Sequence, residues 1–471
     1  MRLQRPRPLK PVRPQPQKPD NAGGQQHPGV QGQGGDGAPR ASVEQTVSAI
    51  AAKFGKEKSF DLITRRIQVG GRDAAFIYLD GFLQPVPGMR VLQALMGIGP
   101  GALKENPKQQ LEEKLVPFFE LMWVRKPDEA VDEILVGQSA VVIAGLDEIL
   151  LLDLRQYPSR QVEEPDLERV TRGARDGFTE VALVNVNLVR RRLRDPNLRV
   201  EALKVGIRSK TDVFLLYVED LAPRDLVDRV RERLVNIRAD ALPMGSKNLE
   251  EYLTGSRFNP FPLVRFTERP DVAASHLLEG YVVLITDTSP AAMVLPANVW
   301  QFTQHAEEYV QAPTVGTYLR WVRFIAIAIS VVLVPLWVAL ATRQEILPPW
   351  LAWVGPKKSS VFPIWLQLLL LTLGLDIIRI ALIHTPTALA TSIGLVGAVL
   401  LGQFAVAAGL FTNEALLYAA LAAIGSFTTP ALEFALALRL FQYPLIGLAA
   451  WLGPVGLAGG LLVLIYIMAL T

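Results

Sequence analysis

The chain contains no cysteine. That excludes a disulfide framework, thiolate catalysis and any cysteine-ligated zinc or iron–sulfur centre. Histidine is nearly as scarce. The four present, His27, His276, His305 and His384, are scattered along the chain, so no histidine metal site is expected. Catalytic signatures are missing as well. There is no His-Glu-x-x-His and no P-loop lysine. Gly97-x-Gly99-x-Gly101 has neither the spacing of a dinucleotide loop nor freedom at Pro100, and Asp287-Thr288-Ser289-Pro290 lacks the lysine and glycine of a phosphorylatable aspartate loop. The expectation is a chain that is not an enzyme and carries no cofactor.

The most informative shortage is of charge. Of the 48 basic and 45 acidic residues, only nine lie beyond residue 323: Arg343, Glu345, Lys357, Lys358, Asp376, Arg379, Glu414, Glu433 and Arg439. A soluble fold cannot cover its surface with so few polar groups. A water-soluble front is therefore joined to a membrane-embedded back. The net charge of +3 is no sign of a nucleic-acid partner, because residues 1–40 hold seven basic and two acidic residues and the remainder is slightly acidic. Those forty residues contain eight prolines and seven glycines. Such a segment buries too little apolar surface to offset its ordering entropy. Residues 1–42 are read as a disordered tail. It has no apolar core of a signal peptide, which places the following soluble region on the cytoplasmic side.

Across residues 43–156, strands and helices alternate, which predicts a small α/β subdomain. Residues 43–66 have helical spacing, with Val43, Val47, Ile50, Phe54, Leu62 and Ile63 apolar. Ala74–Leu79 reads as a buried strand, 128–136 as a helix, and the apolar runs 139–144 and 148–154 as a hairpin. After a polar, proline-bearing boundary, residues 157–310 form a second α/β subdomain. Its expected helices are 179–193, 223–238 and 270–279, and its expected strands are 198–207, 213–218 and 281–285. Residues 311–471 form an all-α polytopic membrane domain. Apolar runs at 324–342, 361–383, 388–411 and 415–438 each suit a bilayer core of about 30 Å. The last run, 440–471, is interrupted by Gly453-Pro454, giving five spans, or six if it divides there.

Polar residues inside those spans are the candidate ion path or gate. Asp376 and Arg379 lie three apart, on one helix face and close enough to pair. They either bind helices together or border a pathway. Glu433 follows Thr428-Thr429-Pro430, with Arg439 only a weak local partner, and serves a pathway or an interhelical contact. Gln403 is a milder intrusion. Gly394, Gly397, Ala398, Gly402, Ala405 and Ala408 suit close helix packing first and a pore lining second.

Several long motifs in order resemble the GerA-type spore germination protein family, A subunit. They are the run from Glu164 to Glu180, Asn187–Arg192, Val205-Gly206-x-Arg208-Ser209-Lys210-Thr211, Asn259-Pro260-Phe261-Pro262, Glu268-Arg269-Pro270-Asp271, Asp287–Pro290 and Ile383-His384-Thr385-Pro386. The resemblance implies an integral protein of the spore inner membrane with a two-part α/β domain on the core side. It also implies a homo-oligomeric ion channel that releases monovalent cations in germination. The implied partners are other germination membrane proteins, a small membrane subunit among them. A non-conducting scaffold and a secondary transporter are the competing readings. Gln403 departs from the acidic residue expected of relatives. Arg172, Gly173, Arg175 and Glu180 of the signature either bind an anion or fix the connection between subdomains through Arg–carboxylate bonds.

Overall fold

The computed structural model describes residues 43–55, 58–103, 106–112, 121–157, 168, 170–255, 259–343, 345, 354–357, 360–383 and 405–470. The tail, Gln403, Pro386 and most of the expected 388–411 span lie outside these residues.

The first half of the soluble front runs α1 (Val43–Lys53), β1 (Leu62–Val69), β2 (Arg72–Leu79), α2 (Pro85–Met96), α3 (Pro107–Gln110), β3 (Leu121–Val124), α4 (Pro127–Val136), β4 (Ser139–Ile143) and β5 (Ile149–Leu152). The helix expected through residue 66 stops early. Gly55 takes φ +78°, and β1 pairs with β2 along its whole length. Ile63, Thr64, Ile67 and Val69 are β-branched, which suits a pleated strand better than a helix. Gly70 and Gly71, both at positive φ, make the two-residue turn between the strands.

The second half runs α5 (Ala182–Arg192), β6 (Leu198–Val205), β7 (Thr211–Val218), α6 (Arg224–Val235), α7 (Ser246–Thr254), β8 (Arg265–Thr267), α8 (Pro270–Leu278), β9 (Val282–Thr286) and β10 (Ala292–Leu295). Both sheets are antiparallel, and their orders, β1-β2-β4-β5-β3 and β6-β7-β9-β10-β8, are the same topology used twice. The equivalent helices α4 and α8 both open on a basic residue followed by Pro-Asp, and each is followed by a glycine at positive φ, Gly137 or Gly280. Proline at the first helical position needs no N–H partner, and aspartate there suits the helix dipole.

The two halves are locked by polar groups. Arg190 of α5 and Asp61, just before β1, are 0% and 1% exposed and pair at 2.8 Å. Arg190 also donates to the Leu198 carbonyl at 3.0 Å. Arg199 bonds Glu219 and the Lys53 carbonyl and lies over Gly55, while Lys58 reaches Glu219 at 2.7 Å. Arg191 stacks on Tyr157, 4.5 Å from the ring centre.

Two imidazoles, His276 buried and His305 half-buried, make the soluble front acid-sensitive. His276 bonds the Val272 carbonyl, and burial holds it below its ordinary value near 6.5. Burial, then Arg323, does the same to His305. The unfolded chain takes up protons that the fold refuses. This contribution to stability is therefore complete above about pH 6.5 and is lost as pH falls through the lowered native values. In unfolding measured between pH 7.5 and 5, His276→Gln should flatten part of the acid slope and His276→Gln with His305→Gln should flatten more. Unchanged slopes would refute the assignment.

Beyond α9 (Val299–Thr303) and α10 (Glu307–Val310) come α11 (Pro313–Ala341), α12 (Ile364–Ile383), α13 (Asn413–Phe427), α14 (Leu432–Leu452) and α15 (Pro454–Leu470). Among the described residues, α11, α12 and α14 are long and apolar enough to cross a bilayer; α13 and α15 are shorter and also apolar. The helix expected over 415–438 is broken at Thr428–Ala431. Pro430 lacks an N–H and disfavours helical backbone at Thr429. α14 then runs through residue 438 to Leu452, and Gly453 at φ +66° separates it from α15.

Candidate functional site in the membrane helices

Each membrane helix is almost wholly apolar, so a charged side chain on one has few polar partners on its own helix. Asp376 of α12 meets Arg439 of α14, with Nε 3.1 Å from Oδ1 and 3.3 Å from Oδ2. Tyr443, one turn beyond Arg439, donates to Asp376 Oδ2 at 2.5 Å. The remaining Arg439 donors reach the Thr372 carbonyl and Gln442 Oε1, both at 3.1 Å. Gln442 in turn donates to the Ser330 carbonyl of α11 at 2.9 Å. One charge-neutral network thus ties α11, α12 and α14.

The Asp376–Arg379 pair suggested by their spacing is not made. Arg379 instead donates to Ser426 Oγ of α13 at 3.0 Å and lies 4.8 Å from the Phe427 ring centre. Thr428 and Thr429 occupy the break after α13. Thr428 donates to the Gly425 carbonyl at 2.7 Å, while the Thr429 hydroxyl is buried without a partner. Glu433 stands in the first turn of α14, away from the middle of a span. Its charged neighbours are Lys247 and Glu250 of α7, which pair at 2.6 Å. Burial alone would lower the Lys247 ammonium, but Glu250 raises it above its usual value. Glu433, Pro430 and Ala431 wall a cavity of about 200 Å³ shared with Arg265, Thr267 and Gln301 of the soluble front. Gln301 Nε2 is buried there without a partner.

α14 is also gripped by the soluble front. Phe302 of α9 stacks on Phe434 at 5.7 Å, and Phe261 of the Asn-Pro-Phe-Pro motif stacks on Phe441 at 5.3 Å. Glu308, its side chain fully buried, pairs with Arg320 at 2.9 Å and with Arg323, both in the first half of α11. The helix carrying the Asp376 partner therefore answers to both parts of the molecule.

These contacts span the soluble front and the membrane helices, and so does the sequence match. The pattern of the Bacillus/Clostridium GerA spore germination protein family fits residues 48–471. The chain belongs to the GerA spore germination protein family. Stage V sporulation protein AF of Bacillus subtilis (strain 168) is 43% identical over 419 residues, 88% of this chain and 85% of that protein. Spore germination protein KA of the same strain is 31% identical, covering 86% and 76% respectively. A crystal structure of the N-terminal domain of the A subunit of the Bacillus megaterium spore germinant receptor GerK3 aligns with 55% of this chain and 96% of its own. Its sequence identity is 26% and the TM-score 0.42. GerA membership brings a role in spore germination and, with the apolar helices, a place in a membrane of the spore.

Among the described residues, Arg172, Arg175 and Glu180 of the GerA signature make no side-chain ion pair, and all three are exposed. Gly173 takes φ +111°. The expected Arg–carboxylate bonds between subdomains come from Arg190 and Arg199 instead. Next to the signature, Thr171 bonds Glu307, and Glu168 accepts from Thr267 at 2.5 Å. The sequence reading named Arg439 only as a weak partner of Glu433 and missed Gln442 and Tyr443, because it ended the fourth span at Leu438. Their spacing i, i+3, i+4 marks one polar stripe on an otherwise apolar helix, and that was legible.

Proposed function

We propose that this chain is a subunit of a gated ion channel complex of the spore inner membrane, releasing monovalent cations during germination, with its α/β domain on the core side. The observation that carries the reading is the Asp376–Arg439–Tyr443 network inside the membrane helices, on a helix held by Phe261 and Phe302 of the soluble front. Buried intramembrane charge is costly and collects at ion paths and switches. Here the charged helix is mechanically tied to a water-soluble module, which is what a gate needs. Asp376, Arg439, Thr428 and Thr429 are the path or gate positions. Neighbouring copies assemble around the path, and other germination membrane proteins, including a small membrane subunit, join them.

The test is potassium release and single-channel conductance from liposomes holding the full chain, alone and with co-expressed partners. Conductance is expected in at least one of these preparations. Tyr443→Phe removes one bond to a carboxylate without leaving a charge unpaired. A bond to a charged group contributes about 1.5–3 kcal/mol. If it is confined to the closed state, the closed-to-open equilibrium should shift roughly tenfold or more toward open. Absence of conductance from every preparation would refute the channel and favour the scaffold. Saturable, coupled flux would favour the transporter.

A further inference from the structure

Tyr318, Trp321, Ile325 and Ile329 follow one another along α11 at helical steps of three and four, so they line one face, and all four are exposed. Their order is informative. The aromatic pair comes first, and the isoleucines follow in the charge-free run after Arg323. Another aromatic joins this stripe from the soluble front. The ring of Trp300, on α9, is centred 6.0 Å from that of Phe324, and Trp321 lies 6.2 Å from the same ring. Trp300 nevertheless stays 65% exposed and Trp321 64%. On the same short helix Phe302 is buried and stacks on Phe434 of α14. Two residues along a helix is a turn of about 200°, so α9 shows one aromatic to the outside and the other to α14. The far end of the span is marked in a similar way. α11 ends at Ala341, about 30 Å of helix beyond Trp321. There Arg343 donates to the carbonyl of Trp451, whose side chain is exposed. Measured along α11, the two tryptophans stand about one hydrocarbon thickness apart, about 30 Å.

We propose that α9 of the soluble front is a lipid-contact element: Trp300 lies in the headgroup layer of the membrane that α11 crosses, beside Tyr318 and Trp321, and seats the front on the bilayer. Lipid is the occupant of this face because the face is continuous with the span and has the polarity of a membrane boundary. Rings with a polar edge stand at the water end, and purely aliphatic side chains follow at the deep end. The stripe carries no charged side chain that would select a protein partner. In water the same rings would be a bare apolar patch. The proposal rests on the membrane position of α11 and is independent of conduction. Because the other side of α9 holds Phe434, the lipid contact also fixes where the front grips α14.

The absence of native cysteine makes the test clean. Full chains carrying Trp300→Cys, Tyr318→Cys, Trp321→Cys or Ile329→Cys are labelled with a small environment-sensitive fluorophore and placed in liposomes. Met89→Cys, at an exposed position of α2 in the first α/β half, is the control. The lipids carry a quencher either in the headgroup or deep in the acyl chain. Labels at 300, 318 and 321 should lose emission mainly to the shallow quencher and the label at 329 mainly to the deep one. The label at 89 should answer only to aqueous iodide. Trp300→Cys removes the ring under test, so the unmodified chain supplies a second readout. A lipid with a photoactivatable headgroup should label residues 299–303 as well as the start of α11. If iodide but neither lipid quencher reaches position 300, and the photolabel misses 299–303, the front stands off the membrane and the proposal falls. If no reagent reaches position 300, protein covers the face and the proposal falls equally. Lack of lipid quenching at 321 and 329 would overturn the membrane position of α11 itself.

Discussion

Arg439→Met is expected to remove about 3–5 kcal/mol of stability, among the largest effects of any single substitution in this protein. The variant leaves Asp376 charged among apolar helices, with Tyr443 as its remaining donor, and frees Gln442 Oε1 and the Thr372 carbonyl. The loss is dominated by the unpaired charge rather than by the net strength of the pair. Desolvating two ions consumes most of their mutual attraction, so an intact buried pair contributes little while a broken one costs a great deal. The double variant Asp376→Leu with Arg439→Met should therefore be less harmed than Arg439→Met alone. Unfolding of the full chain in a mild detergent, followed by tryptophan fluorescence, measures both. A double variant at least as unstable as the single one would show that the network acts through packing and not through charge.

The second large effect is expected in the soluble front. Asp61→Leu leaves the Arg190 guanidinium at 0% exposure with the Leu198 and Asp195 carbonyls as acceptors and no counter-charge. A guanidinium cannot shed its proton to relieve this, whereas a lone carboxylate can take one up. The loss should again be about 3–5 kcal/mol, and Arg190→Met should be the milder of the two. Both act at the seam between the two sheets. Amide exchange is therefore expected to rise in β1, β2 and α5 before it rises in β9 and β10. Uniform exchange across both sheets would show that the pair holds the whole front and not the seam.

Much of the candidate site was legible residue by residue but not as a set. Asp376, Arg379 and Glu433 stand out in sequence because a charge in a long apolar run is expensive wherever it ends up. Which charge meets which was not legible. Local spacing favours Asp376 with Arg379, three residues apart, yet the partner is Arg439, 3.1 Å away on another helix. Glu433 looked central to a span because the helix break at Pro430 was read as a mid-helix interruption, and the break puts it at a helix start. The signature residues Arg172 and Arg175 looked like interdomain anchors, but three arginines at the end of α5 include the one that does this work. A run of basic residues in a last helical turn has an adequate local explanation in the helix dipole, which concealed the long-range one.

What the sequence by itself determined is the division into a charged front and an apolar back, and the kinds of element on each side. Both follow from local causes: charge density decides which solvent a segment can face, and apolar period decides helix or strand. The GerA motifs added the family. Only the tertiary structure decided the rest. It showed that the two α/β halves repeat one strand order that the sequence does not display, that Arg190 and Asp61 close the seam between them, and that α14 joins Phe261 and Phe302 of the front to Asp376 of the back. The reason is that strand order and ion-pair partners depend on contacts between residues far apart in the chain. Many different side chains can satisfy the same local pattern, and only the packed molecule selects among them.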